Sequence, residues 1–487
     1  MSDVFEHRIH AGRRFAYSQR TLTFLVNFVT IAFLARLVPP AQFGLMAMIM
    51  SVVNFLAVFR DLGLTSATIQ RASLSDDERG SLFIFNAVVT TIISILLALL
   101  APLISRFYRE PSLGPLILGT TLGFLIGGVG AQHASVLRRN LAFRQVFLAE
   151  VGGLVVGSTA TIILASWRHD AWALVVGGVA QATVSTILFL SLDGWIPHWK
   201  GGLKKSLHLL AFGANVSLYS LLNYATNNVG AVLVGFIHGP IAMGFYSRAQ
   251  SLYSLPVSFL LYPYLQVQFP LMCRFNGDAQ ETQRLYLDMI RLTSLIFIPA
   301  GVILPFIGVD FATVLLGTPW AEAGNIFSWF SPSVVALGVV APFGQYMISQ
   351  GRLSELRLWG IGDLVIRGGG AVLGAQAGSA GAAAGFSFAT LFLATPTIVW
   401  LCGRYGPVSA SDQIRAAMPG MASAVAAGIA AAAAHLSLVH WNITDSLAAL
   451  SLVIGSSAVA WCVVAFTSRS ARTCLLNIFR PSAVLQN

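Results

Sequence analysis

Four hydrophobic stretches carry polar side chains at helical spacing. In 16–37, Arg20, Thr23, Asn27 and Thr30 recur at i, i+3, i+7 and i+10, one face of a helix. In 42–60 and just beyond, Ser51, Asn54 and Asp61 share a face by the same rule. The stretch 208–236 holds Asn215, Tyr219, Asn223, Thr226 and Asn227, with Tyr224 and Asn228 beside them, and 240–268 holds Tyr246, Gln250 and Tyr253. Such groups are costly in hydrocarbon, so they either bond helix to helix or line a water-filled cavity. Arg248 has no acidic residue within a turn. It either reaches backbone carbonyls or the interface, or binds an anion, and the missing acid favours the anion. Arg367 differs, because Asp363 at i−4 offers it a self-contained ion pair. Glu150 is read either as a proton site or as a partner of Arg144. The candidate contacts are thus Arg20, Asn27, Asn54, Tyr224, Asn227, Tyr246, Arg248 and Gln250, with Asp61 and Glu150 as candidate ion-coupling acids.

Covalent chemistry finds little support. The nine His show no paired ligand spacing, and no Gly-rich phosphate loop ends in Gly-Lys. Cys273, Cys402, Cys462 and Cys474 are scattered without a CxxC, which reads as free thiols. No catalytic residue, metal or cofactor is expected. Without a nucleotide-binding domain, any driving energy has to come from an ion gradient, the membrane potential or the substrate gradient.

The elements that must position these residues are membrane helices. Hydrophobic residues make up 56% of the chain and charged residues 10%, against about 25% charged in soluble domains. Uncharged apolar runs of membrane-spanning length recur throughout. We read an all-α polytopic membrane protein of about 14 spans: 16–37, 42–60, 81–104, 113–132, 145–166, 171–191, 208–236, 240–268, 286–309, 324–348, 354–376, 380–402, 414–437 and 446–467. The first 20 residues are polar and basic and lack a signal-peptide core, so the first span is expected to be retained.

The chain also repeats itself in parallel. LARLVPPAQFGLMA (34–47) is echoed by VGFIHGPIAMGFYS (234–247), which aligns Pro40 with Pro240, Gly44 with Gly244, Asn27 with Asn227 and Ser51 with Ser251. A polar insert at 192–207 divides the first twelve spans into six and six. Two pseudo-symmetric six-helix lobes are expected at 1–197 and 198–405, with two extra helices and a tail at 406–487. Polar stripes on spans one and two and again on seven and eight are what a central hydrophilic cleft requires. Gly44 and Gly244 are expected to let each entering helix pack closely on its lobe. With the N-terminus inside, 23 of the 29 Lys and Arg fall on cytoplasmic segments, four on the other face, and Arg248 and Arg367 within spans. That asymmetry places both termini in the cytoplasm. It also accounts for the net charge of +10 without nucleic acid.

LARLVPPAQFG (34–44), RDLGLTSATIQR (60–71), WALV (172–175), GFYSRAQ (244–250) with Leu255 and Pro256, and QFP (268–270) resemble polysaccharide flippases of the Wzx type. These belong to the superfamily that also holds peptidoglycan-precursor flippases and multidrug exporters. The resemblance runs from about residue 10 to 400 and is closest to the exopolysaccharide branch. It implies a V-shaped, two-lobed inner-membrane transporter that moves undecaprenyl-diphosphate-linked oligosaccharides outward by alternating access. Membrane lipids surround it, and a polysaccharide polymerase and a chain-length regulator are possible partners. Arg would then suit the diphosphate, and Asn, Gln and Tyr the sugars. One departure stands out. Many relatives carry an Asp shortly before the Gly aligned with Gly235, where this chain has Gly230, so an ion-coupling role for that acid is in doubt. The alternatives are a cation-coupled multidrug exporter of the same fold, or a non-transporting subunit of a polysaccharide assembly complex. Neither membrane acids in span one nor a large extracytoplasmic loop is present to favour them.

Overall fold

The computed structural model describes residues 21–61, 68, 75–196, 207–275, 277–441, 443 and 445–467, and the side chains of Asp61 and of 207–217 lie outside that description. Among the described residues there are helices and no strands. The helices are α1 (Thr21–Leu37), α2 (Pro40–Asp61), α3 (Asp76–Tyr108), α4 (Leu113–Arg139), α5 (Phe143–Arg168) and α6 (Ala171–Asp193). Then come α7 (Leu207–Pro256), α8 (Tyr262–Arg274), α9 (Ala279–Leu316), α10 (Ala321–Ser328), α11 (Ser331–Val340) and α12 (Phe343–Ser349). The last are α13 (Leu353–Asp363), α14 (Gly369–Ala375), α15 (Ser379–Ala389), α16 (Thr395–Tyr405), α17 (Ala410–His440) and α18 (Ser446–Thr467). Large apolar side chains such as Leu99, Val365, Leu373 and Phe392 are more than half exposed. In water such a surface would aggregate, whereas in a bilayer it is the lipid-facing belt.

Eleven described helices are long and apolar enough to cross a membrane. Three local features separate that number from the fourteen expected spans. Helix α1 is short, starting at Thr21. Spans seven and eight run together as α7, whose only non-helical residue is Gly239 at φ 79° and ψ −172°. Span eleven, formed by α13 and α14 on either side of a π-helical turn at Leu364–Gly368, carries Glu355, Arg357, Asp363 and Arg367 and is too polar to count. A wide turn of this kind adds one residue without breaking the backbone hydrogen bonds.

The start of α3 shows how a membrane helix satisfies its polar end. The Glu78 backbone N–H donates to Ser75 Oγ at 3.2 Å, and the Ser75 N–H donates to Glu78 Oε2 at 3.0 Å, a reciprocal capping box. Asp76, Asp77 and Glu78 place negative charge at the positive end of the helix dipole.

The chain forms two compact units, residues 1–224 with 239–244, and residues 225–238 with 245–487. In the first, α3, α4, α5 and α6 pack on one another, with Ala134, Leu137, Val146, Ala149 and Phe189 in a shared core. In the second, the long helix α9 is the axis. Helices α17 and α18 close on it through Ala431, Ala434, Leu438, Ala449 and Val453 packed against Ile303, Phe306 and Ile307. Trp461 Nε1 donates to the Leu295 carbonyl at 2.7 Å and ties α18 to the same axis.

The two echoed segments meet within the first unit. A Cβ on Gly44 would run into the Pro240 carbonyl, and a Cβ on Gly244 would run into the Pro40 carbonyl. Each glycine therefore lies against the first turn of the other echoed segment. The proline in each turn has no N–H to leave unpaired, and Gly239 supplies the positive φ that redirects the chain. Gly44→Val and Gly244→Val should each cost about 1–3 kcal/mol or more through overpacking against backbone. Gly178→Ala, with open space around it, should be tolerated. Thermal unfolding of the detergent-solubilised protein, followed by size-exclusion recovery, distinguishes the two classes.

Candidate functional site

Helices α1, α2 and α7 carry the polar side chains expected to line a cleft. On α1, Asn27 is exposed, as is Asn54 on α2. Ser51, one turn from Asn54, is buried and donates from Oγ to the Met48 carbonyl at 2.7 Å. The face shared by spacing therefore divides: the hydroxyl is spent on its own helix and the amide is left accessible. Tyr224 is half-buried and donates from Oη to the Ser51 carbonyl at 2.8 Å, its ring 6.3 Å from that of Phe55. It links α7 to α2 while keeping part of its ring accessible. Arg20 lies outside the described residues, and so does the side chain of Asp61.

In the second unit, Asn227 and Gln250 are joined across the bend of α7, with Gln250 Nε2 donating to the Asn227 carbonyl at 2.7 Å. Both stay half-buried, as does Arg248. Tyr246 is 2% exposed, with its ring 6.0 Å from that of Phe330. Tyr253 stacks on Phe330 at 5.0 Å. In this conformation Tyr246 is a packing residue, because a ring so enclosed offers no surface to a ligand. Its hydroxyl would lie 3.1 Å from a Cβ on Gly230, and Ala371 would lie 3.0 Å away. A side chain at 230 would therefore have to displace the Tyr246 hydroxyl and Ala371.

Several charged side chains are held in pairs. Arg367 Nε donates to Asp363 Oδ1 at 2.6 Å, and a second guanidinium nitrogen donates to Oδ2. This is the bidentate pair expected from their spacing, and the guanidinium also stacks on Phe386 at 5.3 Å. The Glu150 carboxylate pairs with Arg138 of α4. The sequence had left Glu150 as either a proton site or a partner of Arg144, and the contact is made across two helices with Arg138. Arg138 also lines a cavity of about 260 Å³ with Arg60 and Asn86. Arg60 is held there over the Phe124 ring at 4.6 Å.

One cluster was not expected from the sequence. His133 of α4, fully buried, donates from Nδ1 to Asp193 Oδ2 at 2.6 Å at the end of α6. Arg79 of α3 pairs with the same oxygen and lies 4.1 Å above the Trp195 ring. Phe83 and Trp195 wall the imidazole at centroid distances of 5.7 Å. No spacing rule reveals it, because its members come from three helices. Arg79 looked like one more topological charge, and His133 and Asp193 fell just past span ends.

Deleting one member of a buried ion pair leaves the other charge uncompensated, a loss of about 3–5 kcal/mol. Asp363→Ala should therefore destabilise the protein more than Asp363→Ala/Arg367→Met does. The measurement is the loss of monodisperse protein on heating in detergent, and equal losses would mean the pair is not coupled.

Comparison with known proteins adds relatives to this geometry. A family profile described as "Polysaccharide biosynthesis protein" matches residues 33–325. The succinoglycan biosynthesis transport protein ExoT of Rhizobium meliloti (strain 1021) is 24% identical over 95% of this chain and 93% of its own length. The lipopolysaccharide biosynthesis protein WzxC of Escherichia coli (strain K12) is 24% identical over 67% of each chain. Among solved structures, the lipid II flippase MurJ in an inward closed conformation superposes with a TM-score of 0.72 at 13% identity, covering 97% of this chain and 99% of that one. An inward-facing multidrug resistance MATE family transporter of the MOP superfamily gives 0.60 at 16% identity, covering 79% of this chain and 94% of that one. At such identities these likenesses concern the fold alone.

Proposed function

Since the chain belongs to the polysaccharide biosynthesis protein family, matched over residues 33–325, we propose that it flips lipid-linked oligosaccharide repeat units across the cytoplasmic (inner) membrane. The lipid carrier is an undecaprenyl diphosphate, the product feeds exopolysaccharide, capsule or O-antigen synthesis, and the cycle is alternating access. The observation that carries this reading is the match to the succinoglycan transport protein over 95% of the chain, on a fold shared with a lipid II flippase. The likeness to a multidrug transporter does not compete, because the same fold serves both.

The contacts follow from chemistry. A diphosphate calls for guanidinium groups, which present a fork of donors to phosphate oxygens; Arg248 and Arg20 fill that role. Sugar hydroxyls call for groups that both donate and accept, and Asn27, Asn54, Tyr224, Asn227 and Gln250 supply them. Tyr246 supports this set from the core. No bond is made or broken in such a cycle, so the protein acts as a transporter and not as an enzyme. In this reading 1–197 and 198–405 are the two lobes, 406–487 is an addition, both termini are cytoplasmic, and a polymerase and chain-length regulator act beside it.

Arg248→Ala should abolish surface polysaccharide and leave the lipid-linked repeat unit on the inner leaflet. The checks are polysaccharide quantification and periplasmic accessibility of the lipid-linked sugar in cells making normal amounts of the variant. Normal export by that variant would place the anion site elsewhere.

A further inference from the structure

The Arg79–Asp193–His133 cluster has a composition that a purely mechanical clamp does not need. Arg79 and Asp193 alone would join the start of α3 to the end of α6. The third member, His133, adds an imidazole, whose second ring nitrogen is a base that can take up a proton. Its Nδ1–H is committed to Asp193 Oδ2 at 2.6 Å. Its Nε2 is buried and has no hydrogen-bond partner among the described residues, which in the neutral tautomer leaves one lone pair open to a proton. Among the described residues, the charged groups facing the ring are Arg79 from α3 and Asp193 from α6. Phe83 and Trp195 form its aromatic walls. Both cations of the protonated state would compete for one carboxylate oxygen, because Arg79 and His133 already share Oδ2.

We propose that His133, Asp193 and Arg79 form a reversible proton-binding site in the first unit, and that its occupancy couples transport to a proton gradient. The proton adds to His133 Nε2 and takes the cluster from net neutral to net +1. The imidazolium then draws Asp193 toward itself and loosens the hold on Arg79, whose guanidinium already rests on Trp195. Since the His133 side chain has no exposed surface and Arg79 retains 14%, the proton enters and leaves only when the Arg79 side of the cluster opens. Proton occupancy and the joining of α3, α4 and α6 are thereby linked. The proton-binding half of this inference stands on the geometry alone; the coupling half rests on the flippase reading.

The test uses the full-length purified protein. Trp195 lies against both Arg79 and His133 and reports on the cluster through its fluorescence. The wild type should show a sigmoidal change in emission as the pH is lowered. The change should be absent from His133→Gln, which can still donate to Asp193 but does not titrate, and from Trp195→Phe. In vesicles carrying lipid-linked oligosaccharide, an imposed pH gradient should accelerate flipping by the wild type several-fold and leave the rate of His133→Gln unchanged. A step that persists in His133→Gln, or is missing from the wild type, overturns the proton site. Equal acceleration in both forms overturns the coupling. Flipping by neither form, with the fluorescence step intact, overturns the transport reading and with it the coupling, and leaves the proton site in place. If His133→Gln fails to fold, the rate of C2-hydrogen exchange at His133 in the wild type is followed by mass spectrometry. A sigmoidal pH profile supports the site, and a flat one removes it.

Discussion

The Pro240 carbonyl lies where Gly44 would carry a side chain, and the Pro40 carbonyl lies where Gly244 would. Much of the structure is arranged around this reciprocal approach of two backbones. It demands glycine at both positions, because any Cβ would strike backbone rather than a side chain able to move aside. It also demands a break just before each helix, supplied once by Pro39–Pro40 and once by Gly239–Pro240. Helix α7 passes from one compact unit to the other at this point, with 225–238 in the second and 239–244 in the first.

Away from water, charge has to be matched locally, and each described cluster meets this in a different way. Arg367 and Asp363 are one turn apart and pair within one stretch of chain. Arg138 and Glu150 pair across α4 and α5. Arg79, Asp193 and His133 come from three helices. How legible each was in the sequence follows this order. A pair at i, i+4 is dictated by helical geometry and was foreseen. A pair between adjacent helices was foreseen in part, with the acid singled out and Arg138 not named as its partner. A cluster drawn from three helix ends left no periodic trace at all.

The site residues divide in the same manner. Periodicity put Ser51 beside Asn54 and Tyr246 beside Gln250, yet one of each pair is buried and the other is not. A stripe with a spacing of three or four spans a wide arc of a helix, and neighbouring helices decide which edge of it is covered. Tyr246 is covered because Gly230 and Phe330 leave room for its ring.

The sequence by itself determined the class of the protein, the course of its helices, the repeat and the family. Each of these rests on composition, on the length of apolar runs or on residues close together in the chain, and hydrocarbon enforces such patterns on every helix independently. Only the tertiary structure decided that the repeated breaks pack on each other, that Tyr246 belongs to the core, that Glu150 answers to Arg138, and that a buried histidine sits between an aspartate and two aromatic rings. These depend on which faces of different helices meet. That choice is made by close packing among many small and apolar residues at once, and no spacing along one chain encodes it.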